Sequence, residues 1–305
     1  MHPIIFEIPG LGFPIRSFGV MVVLGFLAGS SLLTRMGLRA SEDPERDRQG
    51  LDAIPMWGLI GVMAGARLMY VVVEVLQGTP NGQTFLEDPI LIFAIWKGGL
   101  VMYGGAFGAL LAAWWGSRKH NLRTLHVLDL GVVAAFLGLS IGRIGCILVG
   151  DDYGSLVPER WQHLPFPITL TVPEELSQGS LFGASNVGQV LWCTQMWMSA
   201  NALMLSGIGY VLLRRRRYYG QVGLWLMLLY GATRFCIEIF RGDSERGLWW
   251  GDSVSTSQLV SILVALVCVV LLVRCRKRRD PGAQLPARGQ SNAPAAAKDV
   301  GAPSE

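Results

Sequence analysis

Three arginines of this sequence lie within long apolar segments, where charged side chains are uncommon. At 1.5 Å of helix rise per residue, Arg143 lies roughly 9 Å, Arg234 roughly 10 Å and Arg67 roughly 13 Å from a common side. An ionisable group inside a membrane is costly unless it faces protein or water, so each arginine is a candidate functional group. Guanidinium groups bind phosphate oxygens in pairs, and a lipid phosphate lies at about this depth. The arginines therefore predict a site for a lipid headgroup.

A second arrangement surrounds Arg234. Tyr230, Arg234, Glu238 and Arg241 follow spacings of four, four and three residues, which predicts that they share one helix face. Glu238 can pair with either arginine, which lowers the cost of burying them and leaves one net positive charge to meet an anion. A purely structural ion-pair ladder is the alternative role for Glu238.

Other polar groups lie near the same side of their segments. Gln195 is roughly 9 Å and Gln258 roughly 3 Å from it by the same arithmetic. Arg143 has no carboxylate within a helical turn, so its partner must come from another helix, from Asp151 or Asp152, or from a ligand. Any one of these residues alone could be a snorkelling or helix-packing group, but their convergence favours a site.

Glycines form a further signal in the run WKGGLVMYGGAFGA at 96–109. The doublets Gly98-Gly99 and Gly104-Gly105 weaken a helix and allow the backbone to approach a ligand or to bend. Pairs of glycines four residues apart favour close helix packing instead. These pairs are Gly61 with Gly65, Gly104 with Gly108, and Gly138 with Gly142.

Composition indicates what holds these residues. The chain has 305 residues, of which 51% are hydrophobic and only 16% charged, against roughly 25% charged residues in soluble domains. We predict an all-α polytopic membrane protein with seven spans and an uncleaved first span. The predicted spans are 15–34, 54–76, 89–115, 126–149, 189–213, 221–241 and 256–273. Residues 1–279 form the membrane domain, with an external cap loop at 150–188, and 280–305 form a disordered cytoplasmic tail.

Basic residues predict the orientation. Four clusters, at 35–48, 118–123, 214–217 and 274–279, lie on one side of the seven-span arrangement, and the opposite loops nearly lack Lys and Arg. The positive-inside rule makes the clustered side cytoplasmic, so the N-terminus lies outside and the polar residues lie towards the outer leaflet. The net charge of +4 then reflects orientation, and no nucleic-acid partner is expected. The five cysteines have no metal-type or disulfide-framework spacing, so we expect no metal or cofactor.

Several motifs resemble one known family. The segment GRIGCILVGDDYG (142–154) resembles the signature of the prolipoprotein diacylglyceryl transferases, and WKGGLVMYGG (96–105) resembles their second glycine motif. Further blocks match in family order, namely GARLMYV (65–71), CTQ (193–195), YGATRFCIEIFR (230–241) and SVSTSQLVS (253–261). Together the blocks cover residues from about 12 to 275, and their order makes the resemblance specific.

The resemblance implies a reaction in the bacterial inner membrane, the first step of lipoprotein maturation. The diacylglyceryl group of phosphatidylglycerol passes to the lipobox cysteine thiol of a prolipoprotein signal peptide, and glycerol phosphate is released. It also implies seven spans with the N-terminus outside. The nucleophile belongs to the substrate, so the enzyme needs no catalytic Ser or Cys.

The resemblance also implies roles for individual residues. Arg143 and Arg234 match the essential arginines of the family, and we predict a catalytic set that adds Tyr103 and Glu238. We predict that the substrate-binding residues are Arg143, Arg241, Arg67, Gly98, Gly99, Gly104, Gly105, Gly142, Gly145, Gly154, Gln195 and Gln258. The acceptor of the thiol proton stays open between Tyr103, Glu238 and a thiolate stabilised by the arginines.

The sequence departs from the family pattern at several positions. Tyr103 stands where many members have His, Phe18 where many have Tyr, and Cys146 where Asn is common. These departures motivate a second hypothesis, in which the chain is a non-catalytic relative that binds lipid or signal peptide. A transporter or channel is disfavoured because the cytoplasmic halves of the spans are apolar.

Overall fold

Eight α-helices and six short β-strands form the described part of the chain. The computed structural model describes residues 2–8, 13–242, 248–249 and 254–286. The helices are α1 Ser17–Ala40, α2 Pro44–Leu76, α3 Pro80–Glu87, α4 Met102–Lys119, α5 Thr124–Val149, α6 Thr194–Arg215, α7 Gln221–Glu238 and α8 Thr256–Arg274. The strands are β1 Ile4–Ile8, β2 Phe13–Arg16, β3 Thr169–Thr171, β4 Val190–Trp192, β5 Leu248–Trp249 and β6 Val254–Ser255. They pair in sequence order as three antiparallel two-stranded sheets.

Five of these helices have the length and apolar character needed to cross a bilayer. They are α1, α2, α5, α6 and α8. Large apolar side chains on their surfaces are exposed, as Leu263 and Leu266 of α8 illustrate at 63% and 60%. An apolar outer surface of this kind suits lipid contact, so the prediction of a helical membrane protein is confirmed. The other two predicted spans overlap α4 and α7, each 18 residues long.

The third predicted span, 89–115, is not one continuous helix, so that prediction is wrong in its first half. Residues Pro89–Phe93 and Ile95–Lys97 form two short 3-10 turns, and α4 begins only at Met102. Between them Gly98 and Gly99 have φ angles of +82° and +77°. Only glycine adopts this left-handed region without steric cost, so the doublet ends the helical path.

Two further predicted boundaries are corrected. The span predicted from 189 begins as a helix only at Thr194, because residues 190–192 form strand β4 against β3. The span predicted to reach 241 ends as α7 at Glu238. Arg241 therefore lies beyond the helix, and the predicted helical face includes only Tyr230, Arg234 and Glu238.

The chain forms two compact units. The first comprises the described residues of 1–33 and 129–284, and the second comprises 34–128 with the described residues of 285–305. In the first unit, Leu130 and Val133 of α5 are fully buried, as are Leu205 of α6 and Leu226 of α7 at 1% exposure or less. These side chains form the core that fixes α5, α6 and α7, the helices that carry or support the polar residues.

Glycines bring helices close together within each unit. In the second unit, Gly61 and Gly65 of α2 face Gly104 and Gly108 of α4, and a Cβ atom at any of them would collide with an opposing backbone carbonyl oxygen or Cα. In the first unit, Gly138 of α5 lies in the same way against α1. The prediction that spaced glycines serve helix packing is confirmed for these five residues.

The segment predicted as a cap, 150–188, packs around a small hydrophobic core. Val172 and Phe182 of the segment are buried together with Leu191, which follows it. Strand β3 lies within the segment and pairs with β4, which begins just after the segment ends. Near the end of the described residues, Asp280, Gly282 and Ala283 hydrogen-bond to the turn between α6 and α7. Residues 287–305 of the predicted tail, and most of the predicted outer loop 242–255, lie outside the described residues.

Candidate active site

An aspartate joins two of the arginines in the first unit. Arg143 extends from the last turns of α5, and its guanidinium contacts Oδ2 of Asp152. Arg241, three residues beyond α7, contacts the other oxygen, Oδ1, from its Nη2 atom. The arginine side chains are 14% and 10% exposed and that of Asp152 is 23% exposed. The partner that the sequence left open for Arg143 is therefore Asp152.

Glu238 connects the remaining arginine to this group. Arg234 and Glu238 form an ion pair one helical turn apart on α7, and both side chains are buried. Nη1 of Arg241 lies 4.0 Å from Oε2 of the same glutamate. The prediction that Glu238 can pair with either arginine is confirmed. We call these five residues, Arg143, Asp152, Arg234, Glu238 and Arg241, the arginine cluster.

The arginine cluster has a net positive charge. Three guanidinium groups face two carboxylates, which leaves one positive charge in a region with little solvent. Burial raises the pKa of Asp152, but the charges of Arg143 and Arg241 outweigh burial and hold that pKa below its ordinary value. Asp152 is thus a carboxylate at neutral pH, and the cluster can hold one further anionic group.

A tight turn after α5 fixes Asp152. Gly150 has φ +80°, and a side chain there would collide with the ring of Phe182. Asp152 itself has φ +55°, a conformation that non-glycine residues seldom adopt. Its carbonyl oxygen accepts a hydrogen bond of 2.8 Å from Oγ1 of Thr194, at the start of α6. The strained turn is therefore supported from outside, as expected where a side chain must be held in place.

Gln195 supports the same turn. Its Nε2 donates a hydrogen bond of 2.9 Å to the carbonyl oxygen of Asp151, and the side chain is fully buried. Gln195, which was predicted to bind substrate, therefore shapes the backbone that carries Asp152. Sequence reasoning did not assign Thr194 a role, although a hydroxyl at a helix start is a known partner for nearby backbone.

Gly154 positions Arg241 through the backbone. The two residues form an isolated antiparallel bridge, and the N–H of Ser155 donates to the carbonyl oxygen of Phe240 at 2.7 Å. On its other side, Gly154 donates to the carbonyl oxygen of Trp192 at 3.0 Å. A Cβ atom on Gly154 would collide with that same oxygen. The glycine therefore allows the close approach that places Arg241 beside Asp152.

The other glycines of the signature differ in their surroundings. A Cβ atom on Gly145 would lie 3.1–3.3 Å from Met21 and Phe18 of α1, so this glycine serves helix packing. A Cβ atom on Gly142 would have nothing within 4 Å. Open space therefore lies beside Gly142 and not beside Gly145.

Arg67 belongs to the second unit, where it binds backbone. Its side chain is buried and donates four hydrogen bonds of 2.6–3.2 Å to carbonyl oxygens. Its guanidinium also lies 5.4 Å from the ring centre of Tyr70 and 5.3 Å from that of Phe85. The acceptors are the carbonyl groups of Leu91, Ile92, Gly98 and Gly99. Arg67 thus holds the glycine doublet in its left-handed conformation.

The second-unit glycines have distinct roles. Gly99 packs against the ring of Tyr70, and Gly104 packs against Gly65, whereas a Cβ atom on Gly98 would meet nothing within 4 Å. A Cβ atom on Gly105 would lie 3.3 Å from Val62. Tyr103, at the start of α4, is 37% exposed.

Gln258 caps a helix. Its side-chain oxygen accepts from the N–H of Ser255 at 2.9 Å, and Oγ of Ser255 accepts from the N–H of Gln258 at 3.2 Å. This capping box starts α8. The spacing Ser-x-x-Gln before an apolar run is the sequence signal of this capping box. Gln258, which was predicted to bind substrate, therefore has a structural role at the start of α8.

The residues described around the cluster do not suit a metal ion. Cys146, Asp151 and Asp152 place ligand atoms within 4.8 Å of one another. However, each oxygen of Asp152 already contacts an arginine, and Nη1 of Arg143 lies 3.9 Å from the sulfur of Cys146. A guanidinium at that distance repels a cation, so the arrangement favours an anionic ligand.

Comparison with known proteins gives a consistent result. The sequence profile of the family described as prolipoprotein diacylglyceryl transferase matches residues 3–274. A protein of Pseudoalteromonas atlantica is 31% identical over 92% of this chain and 93% of its own length. One of Geobacter sulfurreducens is 30% identical over 92% and 97%, and one of Stenotrophomonas maltophilia 29% identical over 90% and 93%. Each of the three is named phosphatidylglycerol–prolipoprotein diacylglyceryl transferase.

Proposed function

Because this chain belongs to the prolipoprotein diacylglyceryl transferase family, we propose that it transfers the diacylglyceryl group of phosphatidylglycerol to the lipobox cysteine of prolipoproteins. The relatives named for this reaction match the chain over nearly its whole length. The observation that carries the proposal is the arginine cluster, whose single net positive charge matches the single negative charge of a lipid phosphodiester. The enzyme acts on two partners, phosphatidylglycerol and a prolipoprotein signal peptide.

The reaction makes one bond and breaks one. The sulfur of the acceptor cysteine attacks the diacylglyceryl carbon that bears the phosphate, a carbon–sulfur bond forms, and the carbon–oxygen bond breaks. Glycerol phosphate leaves with the electron pair of that bond, and the thiol proton is released. The negative charge on the phosphate group therefore rises from one towards two as the bond breaks. Guanidinium groups already in place stabilise this developing charge without reorganisation.

Arg143, Arg234 and Arg241 are the residues proposed to contact the phosphate. Glu238 keeps Arg234 and Arg241 oriented, because a buried carboxylate between them limits their rotation. The proton of the acceptor thiol needs an acceptor or a field that favours the thiolate. We propose three alternatives for that step: Tyr103, Glu238, or stabilisation of the thiolate by the positive field of the arginines.

Two of the remaining predicted residues, Arg67 and Gln195, are proposed to act through the backbone. Arg67 holds the Gly98-Gly99 doublet, and Gln195 holds the turn that carries Asp152. Gly98 and Gly142 are the predicted glycines beside open space. We assign lipid or peptide contact to these two positions and packing to the others.

The proposed topology has seven spans, with α4 and α7 added to the five longer apolar helices. The basic clusters at the C-terminal ends of α1, α4, α6 and α8 support a cytoplasmic side at those ends. The N-terminus and the segment 150–188 then lie on the outer side of the bacterial inner membrane. The arginine cluster lies at the C-terminal ends of α5 and α7, which are then on the outer side. It faces the outer leaflet, where phosphatidylglycerol and a translocated signal peptide meet.

A purified-enzyme assay tests the function. The protein is incubated with phosphatidylglycerol and a lipobox peptide, and the peptide mass is followed. The proposal predicts a gain equal to one diacylglyceryl group, which is lost when the peptide cysteine is replaced by serine. A folded protein that binds the lipid but yields no product would instead be a non-catalytic relative.

A further inference from the structure

Asp152 is an unusual feature of a site meant for phosphate. Its carboxylate lies between Arg143 and Arg241, one oxygen on each, where an anionic ligand would otherwise lie. The turn that carries it has a left-handed residue, and the hydroxyl of Thr194 fixes its carbonyl group. A carboxylate so firmly held does not need to leave when a ligand arrives. It stays as a fixed negative charge beside the bound phosphate.

The charged and titratable groups around Asp152 lie at or just beyond the ends of α5 and α7. Arg143 and Cys146 face it from α5, Arg241 contacts it from beyond α7, and the positive charge of Arg234 also acts on it. Asp151 is exposed, so solvent screens its charge more strongly. Without Asp152 the cluster would have two net positive charges, and with it the cluster has one.

The substrate and product of the proposed reaction differ in charge by one. A phosphodiester headgroup has one negative charge, whereas a phosphate monoester has close to two at neutral pH because its second pKa is near 6. A fixed carboxylate beside both arginines repels the second charge of the monoester more than the first charge alone. The net charge of the cluster is therefore zero with the substrate lipid bound, and it is one negative charge with the released glycerol phosphate bound.

We propose that Asp152 is a charge-selecting residue, which makes the site favour singly charged phosphodiester lipids and expel the doubly charged phosphate monoester product. The inference rests on the proposed function, because it takes the lipid phosphate to bind at the arginine cluster. It adds a specificity-determining role to a residue that otherwise only pairs with arginines. Lipids with a terminal phosphate monoester are excluded by the same charge.

A pair of matched ligands tests this role. Glycerol phosphate and its methyl phosphodiester differ by one charge and one methyl group, and each displaces a fluorescent phosphatidylglycerol from the purified full-length protein in neutral micelles. The readout is the ratio of the two dissociation constants at pH 7.5 within one variant, so a general loss of affinity cancels. Asp152→Asn removes the charge at constant shape and should shift the ratio towards the monoester by about tenfold or more. Asp152→Glu keeps the charge and should retain the wild-type ratio.

Two outcomes would overturn the inference. One is an unchanged ratio in Asp152→Asn. The other applies if that variant binds neither anion: a wild-type protein that binds the monoester as tightly as the diester, or more tightly, does not select by charge, whereas a preference for the diester supports the role. The shift in Asp152→Asn should also shrink at pH 5, where glycerol phosphate has one charge.

A separate assay distinguishes failure of the proposed function from failure of the charge selection. A transfer assay on the same wild-type preparation reports thioether formation, and its absence would count against the transferase and not against the charge selection. Normal transfer together with an unchanged ratio would count against charge selection alone.

Discussion

Replacing Gly154 with alanine is predicted to inactivate the enzyme through the position of Arg241. A Cβ atom at residue 154 would lie 2.5 Å from Cβ of Trp192 and 2.9 Å from its carbonyl carbon. Carbon atoms in contact prefer about 3.5 Å or more, so the two segments must separate by about 1 Å. Gly154 and Arg241 are bridge partners, so part of this shift reaches the guanidinium of Arg241.

The magnitude follows from these distances. Overpacking of this kind costs about 1–3 kcal/mol of stability. A misplacement of about 1 Å in a reacting constellation can lower the rate by about a hundredfold. Gly154→Ala should therefore reduce thioether formation by about two orders of magnitude while most of the protein stays folded. The assay combines initial rates of lipobox-peptide modification with thermal unfolding of the same preparation.

Gly142→Ala is the matched control from the same signature segment. A Cβ atom at residue 142 meets nothing within 4 Å, and alanine in a helix interior is favoured over glycine by about 1 kcal/mol. This variant should fold at least as well as the wild type. A Gly154→Ala variant that transfers at the wild-type rate would contradict the predicted shift of Arg241. A Gly142→Ala variant that loses as much thermal stability as Gly154→Ala would contradict the steric explanation.

Three other predictions address the arginine cluster, the buried ion pair of Asp129 with Arg216, and the proposed topology. Arg234→Ala should lower the transfer rate by about 10²–10³, and Arg234→Lys should recover little of it because lysine lacks the paired donor geometry; protein levels in the membrane, measured by immunoblot, should not change. Asp129→Asn leaves the buried Arg216 without the carboxylate that it contacts at 2.6 Å, so thermal or denaturant unfolding should show a loss of about 3–5 kcal/mol. A cysteine at the exposed Gln178 should react with a membrane-impermeant maleimide in spheroplasts, whereas one in the basic cluster after α4 should react only after permeabilisation; the reverse pattern would overturn the proposed orientation.

Much of the site was predictable because charged groups in apolar segments are costly. Arg143, Arg234 and Glu238 are recognisable by their position alone, and the structure pairs the latter two one helical turn apart. The spacing argument failed for Arg241, because periodicity does not reveal that α7 ends at Glu238. Its proximity to Asp152 depends on a bridge to Gly154, a contact between distant parts of the sequence.

The roles of Arg67 and Gln258 were harder to predict for different reasons. Arg67 has the residue type and depth of a ligand-binding group, yet it donates to backbone carbonyl groups, namely those of Leu91, Ile92, Gly98 and Gly99. That outcome depends on the left-handed turn, which also interrupts the predicted third span. Gln258 was predictable in principle, since Ser-x-x-Gln before an apolar run is a capping signature.

The most direct test of the account compares three proteins in one transfer assay. A lipobox peptide is incubated with phosphatidylglycerol and the wild type, Arg143→Ala, or Arg160→Ala, which removes an exposed arginine outside the arginine cluster. We expect a peptide mass increased by one diacylglyceryl group with the wild type and with Arg160→Ala, and no detectable product with a folded Arg143→Ala. Product formation by Arg143→Ala at the wild-type rate would contradict the claim that the arginine cluster performs the transfer.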